Sequence, residues 1–415
     1  MAKPHVVDVN EQTRVPFLRG ILTRSLQDAG LTFEEAYDLA SVMREKLGDS
    51  EIGSDELRQR VAGLLEERYD PRVVERYRAL RQRAPATILV ESGDGVITPF
   101  SRGRHMQFLE ASGLTTREAA PVTSRVYEHL LRKGVTRVPT CRLSHLTYLA
   151  LEKSLGAKAA KRYLVWFQFV HSGEPLLILI GGTIGCGKST LATALAHKLD
   201  IVRIQSTDML REVMRTMTPE RMLPVLHTSS FNAWRKLPFA DDRHADPDAL
   251  IADGYQSQAE LLSVASDAVL NRARAERVAL ILEGVHVQPA FAESLRGLDD
   301  AIVVPVVLAV LKQKELRKRI KGRGTQAPRR RARRYLREFD SIWRLQSFLL
   351  SEADRCEVPI VSNMDKEKAL HEVVTVVIDR LSGVFKGDPR EVFGITRGEN
   401  LPETTSRRVG AATGE

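Results

Sequence analysis

The stretch Leu176-Leu-Ile-Leu-Ile-Gly-Gly-Thr-Ile-Gly-Cys-Gly-Lys-Ser-Thr190 decides the fold. Its first five residues are a continuous apolar run, the pattern of a strand buried on both faces of a parallel sheet. A glycine-rich segment follows without a break, and Leu191-Ala-Thr-Ala-Leu-Ala-His-Lys-Leu199 then reads as a helix. Gly182 to Ser189 fits GxxxxGK[ST], and strand, loop, helix is the context that motif requires. Such a loop turns backbone N–H groups inward on a phosphate at the positive end of a helix. Gly182, Gly185, Cys186, Gly187, Lys188, Ser189 and Thr190 are therefore expected to bind ATP. Lys188 would reach the β- and γ-phosphates, and the Ser189 hydroxyl would ligate Mg²⁺. Because Cys186 lies inside the loop, modification of its thiol is expected to block the nucleotide.

Four more apolar runs follow at α/β spacing: Ile201–Ile204, Val278–Leu282, Ile302–Leu308 and Val358–Val361. With the first they predict a five-stranded parallel sheet with helices between, a doubly wound α/β fold over residues 173–386. Ligand-handling residues in such folds sit just past the strand C-termini. After the second strand, Asp208 and Arg211 share one face of a helix start. The acid would position or deprotonate an acceptor hydroxyl, and the Arg would grip an anion. Read without function, Thr207 or Asp208 would simply N-cap the helix. Glu283 ends the third apolar run, where a carboxylate serves Mg²⁺, and His286 follows as a substrate contact. About 70 residues separate the second and third strands, far more than a plain crossover needs. That insert holds Ser229 and Ser230, candidate acceptor contacts, and a helix near Ala259 to Arg274. Met364 begins a loop expected on the adenine side.

The chain carries a net charge of +9, and Leu311 to Arg337 alone holds thirteen Lys or Arg against one acid, Glu315. The rest of the chain is therefore slightly acidic, which argues against a general nucleic-acid-binding surface. Phosphate oxygens are the natural partner of several arginines together. The window falls where small-molecule kinases carry a lid over the phosphates, with Arg317, Arg319, Arg323 and Arg329–Arg331 as candidates. Three scattered cysteines (Cys141, Cys186, Cys356) give neither a disulfide framework nor a zinc pattern. The N-terminus lacks an apolar signal core, and no apolar run approaches ~18 residues, so a cytoplasmic, membrane-free protein is expected. Residues 387–415, rich in Gly, Pro, Thr and charge, read as a disordered tail.

The first 170 residues repeat themselves. Val15-Pro-Phe-Leu-Arg-Gly20 returns as Thr98-Pro-Phe-Ser-Arg-Gly103, and Gly30-Leu-Thr32 returns as Gly113-Leu-Thr115 at the same offset. Each copy reads as a hairpin edge followed by helices. Thr32 with Glu35, and Thr115 with Glu118, have capping-box spacing. The pattern, over 1–85 and 86–172, resembles the ATP-cone, a regulatory nucleotide-binding module. ATP-cones usually set paired cations before Pro-Phe, whereas these hairpins read Asn10-Glu-Gln-Thr-Arg14 and Ser92-Gly-Asp-Gly95. Docking or homo-oligomerisation through the repeats is expected ahead of nucleotide binding.

The remainder, over about 175–380, resembles the 2-phosphoglycerate kinase family. The resemblance rests on the glycine-rich loop, Thr207-Asp-Met-Leu-Arg-Glu-Val-Met-Arg215, Ser229-Ser-Phe-Asn-Ala233, Ile281-Leu-Glu-Gly-Val-His286 and Tyr335-Leu-Arg-Glu-Phe-Asp-Ser-Ile342. That family also carries an N-terminal ATP-cone. The resemblance implies transfer of the γ-phosphoryl group of ATP to 2-phosphoglycerate, giving 2,3-bisphosphoglycerate. The residues alone define only a P-loop kinase with an arginine-rich lid, suited to a small phosphorylated acid. Thr207-Asp-Met-Leu-Arg211 is also similar to adenylate kinase, which keeps a nucleotide or another phosphorylated acceptor open. An ATPase regulated through the repeats, or linked to nucleic acid, is the third reading.

Overall fold

The computed structural model describes residues 4–8, 13–48, 50–83, 88–238, 246–295, 297–326 and 329–394. Two compact units divide between Ile88 and Leu89. The first runs β1 (His5–Asp8), β2 (Thr13–Pro16), α1 (Arg19–Asp28), α2 (Phe33–Leu47), β3 (Glu51–Gly53), α3 (Ser54–Arg68) and α4 (Pro71–Arg83). Its sheet has the order β2-β1-β3, antiparallel then parallel. Leu26, Leu39, Met43 and Leu65 are fully enclosed at its centre.

The second unit opens with the same element order: β4 (Leu89–Glu91), β5 (Ile97–Pro99), α5 (Arg102–Ala111), α6 (Thr116–Arg132), β6 (Arg137–Pro139), α7 (Thr140–Leu155) and α8 (Ala157–Ser172). The sheet is β5-β4-β6, again antiparallel then parallel. The capping boxes form at both predicted places. The Thr32 N–H donates to Glu35 at 2.9 Å, and the Thr115 N–H donates to Glu118 at 2.8 Å. The third strands, β3 and β6, are an addition to the expected hairpin. Three residues are too few to show a period of two.

The chain continues as β7 (Leu176–Gly181), α9 (Lys188–Leu199), β8 (Arg203–Ser206), α10 (Thr207–Met217), two 3₁₀ turns (Pro224–His227 and Ser230–Lys236), α11 (Pro247–Ala275) and β9 (Leu280–Glu283). It ends with α12 (Pro289–Ser294), β10 (Ile302–Ala309), α13 (Gln313–Gln326), α14 (Arg329–Arg337), α15 (Phe339–Arg355), β11 (Ile360–Ser362), α16 (Lys366–Val384) and α17 (Pro389–Val392). The five strands order as β11-β10-β7-β9-β8, all parallel. Every residue of β7 and β10 is buried, as their unbroken apolar runs require. One face packs Ile178, Ile180 and Val306 against Leu191, Leu195 and Val377. The other packs Leu177, Leu179 and Leu282 against Leu270 and Phe291.

Three expectations shift. The second strand begins at Arg203 rather than Ile201, because it is an edge strand and Val202 is 93% exposed. The insert helix α11 spans 29 residues and starts at Pro247, capped by Asp246. Residues 387–394, assigned to the tail, include α17, and Phe393 buries itself against Phe167, His145 and Tyr148. The rest of that tail, 395–415, lies outside the described residues. Among the described residues no helix is long and apolar enough to cross a membrane.

Candidate active site

The five parallel strands point their C-terminal ends at one edge, and β7 delivers the glycine-rich loop there. Gly182 and Gly187 have φ of +134° and +95°. A Cβ on Gly182 would strike the Leu308 carbonyl at the end of β10, and one on Gly187 would strike the Asn363 amide after β11. Only glycine permits both the backbone shape and the close approach. Lys188 Nζ donates to the Thr183 carbonyl at 2.9 Å, which holds the amine over the loop. Ser189 Oγ donates to Glu283 Oε1 at 2.9 Å. Glu283 ends β9 and is only 5% exposed, so a buried carboxylate and a loop hydroxyl converge. Thr190 lies exposed on the first turn of α9. The Cys186 side chain is fully buried in the core, while its backbone forms part of the loop.

A second side of this edge is built on α10. Ser206, not Thr207 or Asp208, caps this helix by accepting from the Asp208 N–H at 3.2 Å. Thr207 is thereby free to turn inward, where its hydroxyl meets His286 Nδ1 at 3.3 Å. His286 Nε2 lies 2.8 Å from Gln258 Oε1, and Gln258 Nε2 donates to the carbonyls of Val225 and Thr228. Since that amide nitrogen already serves carbonyls, Oε1 must accept. The network therefore assigns the proton to His286 Nε2 and makes Nδ1 the acceptor of the Thr207 hydroxyl. Arg211 donates to the same Thr228 carbonyl at 2.6 Å. His286 thus has both ring nitrogens engaged within the protein and is 4% exposed, and it braces the insert. Asp208 stands exposed on the first turn of α10, and Ser229 and Ser230 begin the second 3₁₀ turn.

Burial pushes the His286 pKa down to about 3. The same cause takes His105, held between the Thr123 and Thr147 hydroxyls, down to about 4. Both imidazoles stay neutral in the fold but bind a proton near pH 6.5 once unfolded, so stability falls as pH drops below that value. Between pH 7 and pH 5 each histidine is expected to cost about 2 kcal/mol. Urea unfolding measured across this range checks it. His286→Gln should remove about 1 kcal/mol per pH unit from the slope averaged over this range, and an unchanged slope would refute the assignment.

The basic window supplies the third side. On α13, Leu316 and Ile320 pack against the Gly185 backbone, so this helix is anchored to the loop at its base. Arg319 pairs with Glu315 at 3.2 Å and donates to the Met364 carbonyl at 3.3 Å. Arg317 lies over the Phe339 ring instead of facing the loop. The side chains of Arg323 and Arg329–Arg331 lie outside the described residues. Sequence reasoning missed Asn363, whose amide donates to the Cys186 carbonyl at 2.8 Å and locks the loop to β11. The strand-end rule could have found it, one position before Met364. It also missed Gln258, for which α11 gave no local signal. Several buried polar atoms around these elements have no partner among the described residues: Thr183 Oγ1, Arg211 Nε, Asn232 Oδ1 and Asn363 Oδ1. Buried polar groups are ordinarily paired, so these four are candidates for ligand contact.

The fold and the donor half of this site make the protein a P-loop phosphotransferase. Residues 178–341 match the AAA domain family. The 2-phosphoglycerate kinase of Pyrococcus horikoshii is 32% identical over 299 residues, covering 72% of this chain and 96% of that protein. Its counterpart from Thermococcus kodakarensis is 34% identical over 297 residues, with 71% and 98% covered. The chain belongs to the 2-phosphoglycerate kinase family.

Proposed function

We infer that the chain is an ATP-dependent 2-phosphoglycerate kinase. The observation that carries this reading is similarity to relatives of that name over nearly their whole length, joined to a site with separate donor and acceptor halves. 2-Phosphoglycerate has one free hydroxyl, so phosphorylation yields 2,3-bisphosphoglycerate. Lys188 and the loop N–H groups neutralise charge on the β- and γ-phosphates as it shifts toward ADP. The hydroxyl of Ser189 and the carboxylate of Glu283 converge as hard oxygen donors, which suits Mg²⁺ shared with nucleotide phosphates. No cluster of three His, Cys, Asp or Glu among the described residues offers an all-protein metal cage, and this chemistry needs none. When bound, the ion draws charge from the transferring phosphoryl group. Arg211 grips an acceptor anion, and Arg319 flanks the loop. As the acceptor oxygen bonds to γ-phosphorus, the bridging P–O bond breaks and its electron pair leaves with ADP. The hydroxyl proton passes to Asp208.

The N-terminal repeats are read as ATP-cone-like docking modules, because neither hairpin carries paired cations. The test incubates the enzyme with ATP, Mg²⁺ and separate acceptors, following products by phosphorus NMR. A new phosphomonoester is expected from 2-phosphoglycerate and none from AMP. ATP turnover without acceptor should be at least about 100-fold slower. Equal turnover with AMP, or with no acceptor, would overturn the reading. Sedimentation of the same preparation as a lone 46.4 kDa chain would remove the homo-oligomer reading.

A further inference from the structure

The insert between α10 and α11 holds a side chain that the fold leaves unused. Asn232 sits on the second 3₁₀ turn between Phe231 and Ala233, both in the core. The turn is packed closely on two sides. A Cβ on Gly254 of α11 would collide with the backbone of Ala233 and Trp234, and Phe231 meets Tyr335 of α14 edge to face at 6.0 Å. The Asn232 N–H donates to the Ser229 carbonyl at 2.8 Å. Its side chain is 5% exposed, yet Oδ1 is enclosed without a partner among the described residues. An amide buried this way opposes folding, so its place needs another explanation.

A second atom on the same construction completes the picture. Arg211 Nε is also buried without a partner, while the same guanidinium holds the Thr228 carbonyl four residues before Asn232. Gln258 holds that carbonyl too. The insert therefore offers one unused cationic donor and one unused neutral acceptor, both on fixed backbone. At neutral pH 2-phosphoglycerate presents two anionic groups, which only accept, and a single hydroxyl, which is its one good donor. The two sets match: an anion for Arg211, and the hydroxyl for an amide oxygen.

We propose that Asn232 is an acceptor-binding residue whose amide oxygen receives the hydroxyl that becomes phosphorylated. This rests on the 2-phosphoglycerate reading given above. The amide takes no proton. It holds the hydroxyl in the resting complex, and the O–H turns from the amide to Asp208 as its oxygen bonds to the γ-phosphorus. A site built to bond a hydroxyl discriminates against acceptors that lack one at that place, since its buried polar atom is then unpaired.

The experiment uses the full chain with Asn232→Leu, which keeps the shape and removes the amide. The kcat/KM for 2-phosphoglycerate should fall about 10- to 100-fold, with the KM for ATP unchanged. The melting temperature should match or exceed the unaltered protein, because an unpaired buried amide is gone. The stabilisation produced by 2-phosphoglycerate in the absence of ATP should shrink in parallel. Asn232→Ser, which retains a smaller oxygen acceptor, should fall between the two. Unchanged acceptor kinetics in Asn232→Leu would overturn the proposal, and so would a lowered melting temperature, which marks a structural role. Absence of product from 2-phosphoglycerate with the unaltered enzyme would instead refute the function itself.

Discussion

Lys188→Ala is expected to lower the rate of phosphoryl transfer about 10³-fold or more, with the fold intact. In free-energy terms this is about 4 kcal/mol of transition-state stabilisation. The loop contributes backbone N–H dipoles, but Lys188 brings the full positive charge at the helix start, and its amine is already held over the loop by the Thr183 carbonyl. As charge moves from the γ-phosphoryl group toward ADP, nothing else on α9 can follow it. The structural cost is small. Lys188 is half-buried, its contacts are the Thr183 carbonyl and a long approach to Cys186, and alanine is a better helix former than lysine. Circular dichroism and melting temperature should match the unaltered protein while product formation collapses. Activity within about tenfold of the unaltered enzyme would refute the donor role.

What the sequence disclosed follows the range of the interaction. The β7 run and its loop were readable because an apolar strand, three positive-φ glycines and a helix lie consecutively, so no distant contact is needed to interpret them. The sheet was readable for the same reason, although the ends of β8 were not: Ile201 and Val202 look like strand residues, yet on an edge only the register with β9 decides. Glu283 betrayed itself as an acid closing an apolar run. The acceptor half was harder. The bracing role of the His286 ring was not readable because its partners, Thr207 and Gln258, come from elements 79 and 28 residues away. Gln258 itself is one more polar residue on a long helix, and only the packing of α11 against the insert reveals that it ties two turns to β9. Asn232 was quoted as part of a motif, but its missing partner is a property of the folded chain.

Arg211→Ala is expected to separate the acceptor half of the site from the donor half. Arg211 spends one nitrogen on the Thr228 carbonyl at 2.6 Å, and its Nε is enclosed without a partner among the described residues, which suits the proposed grip on an acceptor anion. Removing a charged hydrogen-bonding group from such a position costs about 2–5 kcal/mol of binding. The kcat/KM for 2-phosphoglycerate should therefore fall about 10²- to 10³-fold. The insert should survive, because Gln258 Nε2 still donates to the Thr228 carbonyl and the Thr207–His286–Gln258 chain does not pass through Arg211. ATP binding should also survive, since the phosphate loop is held by Asn363 and by α13, not by α10. Arg211→Lys restores the charge but not the planar fork, so it should recover only part of the loss. Steady-state kinetics in both substrates decide the matter. A rise in the KM for ATP comparable to that for the acceptor would place Arg211 on the donor phosphates instead. An unchanged acceptor KM and kcat would remove it from the site altogether.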